Sequence, residues 1–81
     1  MRLDKYLKVS RIIKRRTIAN DACDAGHVSV NGRIARASYE VKDGDEIDIR
    51  FGAREMKIRV KTLKEHVMKN EASEMFEVID S

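Results

Sequence analysis

Gly26-His27-Val28-Ser29-Val30-Asn31-Gly32 is the stretch on which the fold turns, because the hydrophobic period changes inside it. Before it, Ile18, Ala19, Ala22 and Cys23 fall at i, i+1, i+4 and i+5 within residues 17–25, which is one face of a helix. Gly26 stands just past the last helical position, where a left-handed stop is expected. Val28 and Val30 then alternate with His27 and Ser29, the period of a strand. Asn31-Gly32 follows, and both residues accept positive φ, so the spacing predicts a type I′ hairpin with Ile34 opening the return strand.

Towards the C-terminus, Val41 leads into a second turn, Lys42-Asp43-Gly44-Asp45. Ile47, Ile49 and Phe51 share one face of the next strand, Gly52-Ala53-Arg54-Glu55 turns the chain, and Met56, Ile58 and Val60 alternate on the strand after it. Met68, Ala72, Met75, Phe76 and Ile79 return to helical spacing, with residues 64–69 as a flexible connection. Towards the N-terminus, Leu3, Tyr6 and Leu7 form the stripe of a helix over 3–9, with Asp4 in its first turn. Ser10 to Arg16 is a basic connector around Ile12 and Ile13. Thr17 is a candidate cap for the second helix, with Arg16 as the alternative boundary. Asn20, Asp21 and Asp24 are expected to face away from the core.

The architecture expected is α+β: two N-terminal helices packed on a small antiparallel sheet, plus a short C-terminal helix. Residues 1–65 form the domain, with its core motif at about 1–50, and 66–81 a helical extension. With 81 residues the chain supports one modest core. Hydrophobic residues at 42% exclude a wholly disordered chain, and charged residues at 38% require a surface dominated by charge. Cys23 is the single cysteine, so no intramolecular disulfide forms, which suits a reducing cytoplasm. No apolar run approaches the roughly 18 residues of a membrane span, and Met1-Arg2-Leu3-Asp4-Lys5 has no signal-peptide core. A cytoplasmic protein without membrane contact is the expectation.

The net charge of +3 says little, but its distribution says more. Residues 1–36 hold nine Lys/Arg against three acids, whereas residues 37–81 hold eight against eleven. A basic half points to a polyanion; solvation of helices by Lys and Arg explains the same asymmetry equally well. Arg2, Lys5, Lys8 and Arg11 are three apart along the first helix and its exit. Lys14, Arg15 and Arg16 stand at the entrance of the second, where free N–H groups and guanidinium forks suit phosphate.

Other polar and apolar groups read more simply. Cys23 lies on an apolar face and reads as buried rather than reactive. His27 and His66 lack ligand spacing with Cys23, so no metal site is expected, and His27 is left between a contact to the polyanion and plain solvation. Asp43, Asp45, Glu46 and Asp48 lack calcium-loop spacing and read as a solvated turn. Tyr6 reads as core before base-stacking, and Met68, Met75 and Phe76 as core closure before a partner surface. No nucleophile–base pair or phosphate-cradling glycine loop is visible, so neither catalysis nor a cofactor is expected.

Arg2-Leu3-Asp4-Lys5-Tyr6-Leu7, Arg11, Arg15-Arg16-Thr17-Ile18-Ala19, Gly26 to Gly32, and Gly44-Asp45-Glu46-Ile47 occur in an order that resembles the S4 RNA-binding domain family. The resemblance implies an α-L motif whose two helices present Arg2, Lys5, Lys8, Arg11, Lys14, Arg15 and Arg16 to structured RNA. It also implies that Asp4 orients a neighbouring Arg, beside the simpler reading that it suits the helix dipole. The chain is similar to a stand-alone subgroup, the heat-shock and ribosome quality-control members. By that resemblance it would bind large ribosomal subunits, contact 23S rRNA near helix 69 and the peptidyl-tRNA, and work beside an alanine-tailing factor. Recycling of free subunits without tailing, and a protein–protein adaptor, are the alternatives. Residues 52–81 carry little of the resemblance.

Overall fold

In the computed structural model, which describes residues 1–64 and 67–79, two helices lie on a five-stranded antiparallel sheet. Helix α1 is Leu3–Val9 and α2 is Arg16–Asp24. The strands are β1 (Val28–Val30), β2 (Arg33–Ile34), β3 (Glu46–Phe51), β4 (Arg54–Val60) and β5 (Phe76–Val78), in the order β2-β1-β3-β4-β5. The α+β architecture is as expected. The boundary expected between 65 and 66 falls on residues outside the described ones, as does His66.

Both helices stop through left-handed residues. At the end of α2, Gly26 has φ +86°, its N–H donates to Cys23 O at 3.0 Å, and the His27 N–H donates to Ala22 O at 2.9 Å. These are the two bonds of a Schellman stop. Arg11 fills the equivalent place after α1 with φ +64° and its N–H on Lys8 O at 3.0 Å. This conformation costs a non-glycine residue about 1–2 kcal/mol, offset by burying Ile13 in the core. The α1 start is closed by backbone: Leu3 and Asp4 N–H donate to Tyr39 O and Ala37 O at 2.8 and 3.2 Å.

Asn31 and Gly32, at φ +52° and +87°, make the tight turn between β1 and β2. A Cβ at Gly32 would meet no atom within 4 Å, so only the backbone resists substitution. Gly32→Val is therefore expected to destabilise the domain by about 1–3 kcal/mol through a β-branched residue at positive φ. Thermal melting reads it, and an unchanged Tm would contradict the turn.

Register places the valines and isoleucines on the helix side: Val28 faces Ile49, Val30 faces Ile47, and Ile47 faces Ile58. Leu3, Tyr6, Leu7, Ala19, Ala22 and Cys23 cover them from the helices. Ile18 does not join this face; it is 48% exposed, because α1 and the sheet claim only the Ala19–Cys23 side of α2. Asp45 is buried rather than solvated, accepting from Asn31 Nδ2, the Tyr39 hydroxyl and the Lys42 N–H at 2.9–3.1 Å.

The C-terminal extension differs from the expected helix in two ways. Residues Lys69–Met75 form a 3-10 helix, and β5 follows it at once. Three residues per turn put Ala72 and Met75 on one buried side, a spacing an α-helix also tolerates. The backbone around β5 then completes hydrogen bonds that β4 would otherwise expose at its edge, with the Lys61 N–H on Met75 O at 2.8 Å and the Ile79 N–H on Lys57 O at 3.0 Å. The end is fastened to α1, since the Tyr6 hydroxyl donates to Met75 O at 2.7 Å. Tyr6 is fully buried and belongs to the core, as expected.

Candidate nucleic-acid interface

Asp4 organises the basic corner. Its side chain is 3% exposed, lying in the first turn of α1 where that helix meets α2. Two neutral donors hold it closely: the Lys5 N–H at 2.7 Å and the Asn20 amide at 3.1 Å. Two guanidiniums stand further off, Arg2 Nε at 3.3 Å and Arg16 Nη2 at 3.5 Å. Burial alone would raise the Asp4 pKa, but the bonds from Asn20, Lys5 and Arg16, with the Arg16 charge, outweigh it and hold the carboxyl below its ordinary value. One carboxylate thus gathers an arginine from the start of each helix, and the orienting role implied by the resemblance matches this geometry.

Both guanidiniums are 48% exposed, so each keeps donors for a ligand while one edge is steered. Arg16 is the first residue of α2, and Arg15, its N-cap, makes no side-chain cap. Thr17 therefore does not cap the helix. Among the described residues no acceptor meets the N–H groups of Arg16, Thr17 and Ile18, in contrast to the closed start of α1. A shallow groove over this corner is lined by Asp4, Arg16, Thr17, Asn20 and Asp21. Asp21 repels phosphate at that side, where a ribose hydroxyl or a base edge fits better.

The other expected residues are less tightly placed. Lys5 is half-buried within α1, while Lys8 in its last turn is exposed. Arg11, Lys14 and Arg15 are exposed along the connector and make no ion pair among the described residues. The structure therefore brings Arg2 and Arg16 together and leaves Lys8, Arg11, Lys14 and Arg15 exposed, without an ion pair among the described residues. Asn20 was expected to face away; it instead packs inward onto Asp4. Its spacing of four from Arg16 is the signal that could have found it. Asp24 stays exposed, as expected, and accepts the Ala37 N–H at 3.0 Å.

Among the described residues no three His, Cys, Asp or Glu side chains group as a metal site. Cys23 is buried, and that burial, with the charges of Asp4 and Asp24, pushes its thiol up to about 12. No described helix is long and apolar enough to cross a membrane.

Residues 1–47 match the model of the S4 domain family. The chain is 53% identical over 78 residues to the RQC P-site tRNA stabilizing factor of Halalkalibacterium halodurans, covering 96% of this chain and 89% of that protein. It is 49% identical to the protein of the same name from Bacillus subtilis, over 98% and 92% of the two chains. Among solved structures, the trimeric structure of Vibrio cholerae heat shock protein 15 superposes with a TM-score of 0.89 at 30% identity, over 96% of this chain and 80% of that one.

Proposed function

Because this chain belongs to the S4 domain family, we propose that it is a non-enzymatic RNA-binding factor of ribosome-associated quality control, acting in the cytoplasm on obstructed large ribosomal subunits. It grips 23S rRNA in the helix 69 region and steadies the peptidyl-tRNA while a partner factor adds C-terminal alanines to the stalled chain. The names of the Halalkalibacterium halodurans and Bacillus subtilis relatives support the tRNA-stabilising part of this reading. The observation that carries it is the pairing of Arg2 and Arg16, from different helices, on one buried carboxylate. A rigid two-arginine corner is preorganised for a backbone of fixed phosphate spacing, so less freedom is lost on binding. Lys5, Lys8, Arg11, Lys14 and Arg15 extend the contact along the same polyanion.

Displaced counterions make such binding salt-sensitive. Two phosphate contacts give a slope of log affinity against log salt of about −1.5 to −2, and all seven cations one of about −5 to −6. Titrating rRNA fragments between low and physiological salt measures the slope, and a flat response would favour a protein adaptor instead. A second reading, set beside the structural likeness to heat shock protein 15, is a heat-shock factor that recycles free large subunits without tailing. Co-purification of a tailing factor with the tagged protein separates the two.

A further inference from the structure

The helix-facing side of the β3–β4 hairpin runs further than the helices that cover it. Ile47, Ile49 and Ile58 on that side are at most 1% exposed, yet Phe51, two residues beyond Ile49, is 42% exposed. Register pairs Phe51 with Arg54 and Ile49 with Met56, so all four side chains share this one face, and Phe51 and Arg54 overhang at its end. Between the overhang and Ile12 of the α1–α2 connector runs an open groove of about 450 Å³, lined also by Glu55.

The groove carries charge of both signs. Arg54 lines it and makes no ion pair among the described residues. Ile12 is the chain neighbour of Arg11, which is exposed and equally unpaired. The one carboxylate in the lining, Glu55, stands 3.8 Å from Arg50. Along the chain, the connector that supplies Ile12 leads on to Lys14, Arg15 and the Arg16 corner. An exposed aromatic face between cations, beside a basic ridge, suits a base that has left its stack.

We propose that this groove holds one unpaired nucleotide of the RNA gripped by Arg2 and Arg16, with its base on Phe51 and its phosphate at Arg54. Phe51 and Arg54 lie beyond residues 1–47, the part matched to the S4 domain. The inference rests on the RNA-binding reading above, and the test is arranged to separate the two.

The full-length chain and its Phe51→Ala, Phe51→Leu, Phe51→Trp and Arg16→Ala variants are titrated onto large ribosomal subunits carrying peptidyl-tRNA. Melting temperatures check that each variant folds. Phe51→Ala and Phe51→Leu are expected to weaken binding about 5- to 100-fold, with the salt slope unchanged, whereas Phe51→Trp keeps wild-type affinity. Ultraviolet irradiation of the wild-type complex is expected to leave a nucleotide on the peptide that bears Phe51. Wild-type binding by Phe51→Ala, while Arg16→Ala is weakened, overturns the nucleotide slot and leaves the basic corner standing. Wild-type binding by Phe51→Leu, with loss in Phe51→Ala, makes the groove an apolar protein contact and also overturns it. Should Phe51→Ala fail to fold, the contrast between Leu and Trp and the crosslink decide. Wild-type binding by Arg16→Ala and Phe51→Ala together overturns both readings.

Discussion

Asp4→Ala is expected to weaken RNA binding more than the loss of either arginine alone, and to cost the fold about 1–3 kcal/mol as well. The carboxylate is nearly fully buried, and its removal strands the Asn20 amide and the Lys5 N–H without an acceptor. It also frees Arg2 and Arg16 to repel each other across the corner that it now holds together. The two guanidiniums are half-exposed, so water screens that repulsion and most of the stability loss comes from the stranded donors. Asp4→Asn keeps the shape but not the charge and is expected to lie between wild type and Ala. The pH dependence has a definite sign. The Asp4 pKa is depressed in the folded protein, so its contribution is complete above the ordinary carboxylate pKa of about 3.9 and is lost as pH falls through the depressed value. Acid melts of wild type and Asp4→Asn should converge at the low end; parallel curves throughout would show that Asp4 carries no such coupling.

Tyr6→Ala carries the largest expected loss of stability, about 3–5 kcal/mol. Tyr6 is among the largest fully buried side chains, and its hydroxyl holds Met75 O, 69 residues away in the sequence. Its removal opens a cavity under α1 and unfastens the 3-10 helix and β5 from it. A domain of this size has about 5–15 kcal/mol in total, so Tm should fall by more than about 12 °C. Tyr6→Phe deletes only the hydroxyl and is expected to cost about 0.5–1.5 kcal/mol, since Met75 O keeps the Lys61 N–H at 2.8 Å. Equal losses in the two variants would place the energy in the hydrogen bond and not in packing.

What could be read from residues alone follows from how local each determinant is. Asn31-Gly32 and Gly26 act through their own φ angles, so the hairpin and the helix stop were visible without any partner. The alternation of β3 and β4 likewise marks its own inner face. The basic corner was half visible: Arg2 and Arg16 were identifiable, but their meeting on Asp4 depends on how α1 crosses α2. That crossing also decides which side of α2 is covered, and so why Ile18 faces solvent and Asn20 faces in. Asp45 in a turn looks solvated until Asn31 and Tyr39 arrive from elsewhere in the chain. Residues 76–78 are a strand because β4 has an open edge beside them, a tertiary demand that overrides the helical spacing of Met75, Phe76 and Ile79.

The central claim is that the RNA face lies on the first two helices, and co-sedimentation with large ribosomal subunits tests it most directly. Arg16→Ala leaves the buried faces of both helices intact and should keep its fold while binding weakens by about 1–3 kcal/mol. Lys57→Ala and Lys64→Ala, on the other half of the chain, should sediment as wild type does. An Arg16→Ala protein that melts and co-sediments like wild type, while Lys57→Ala or Lys64→Ala stays in the supernatant, would place the RNA face on the opposite half and contradict the account.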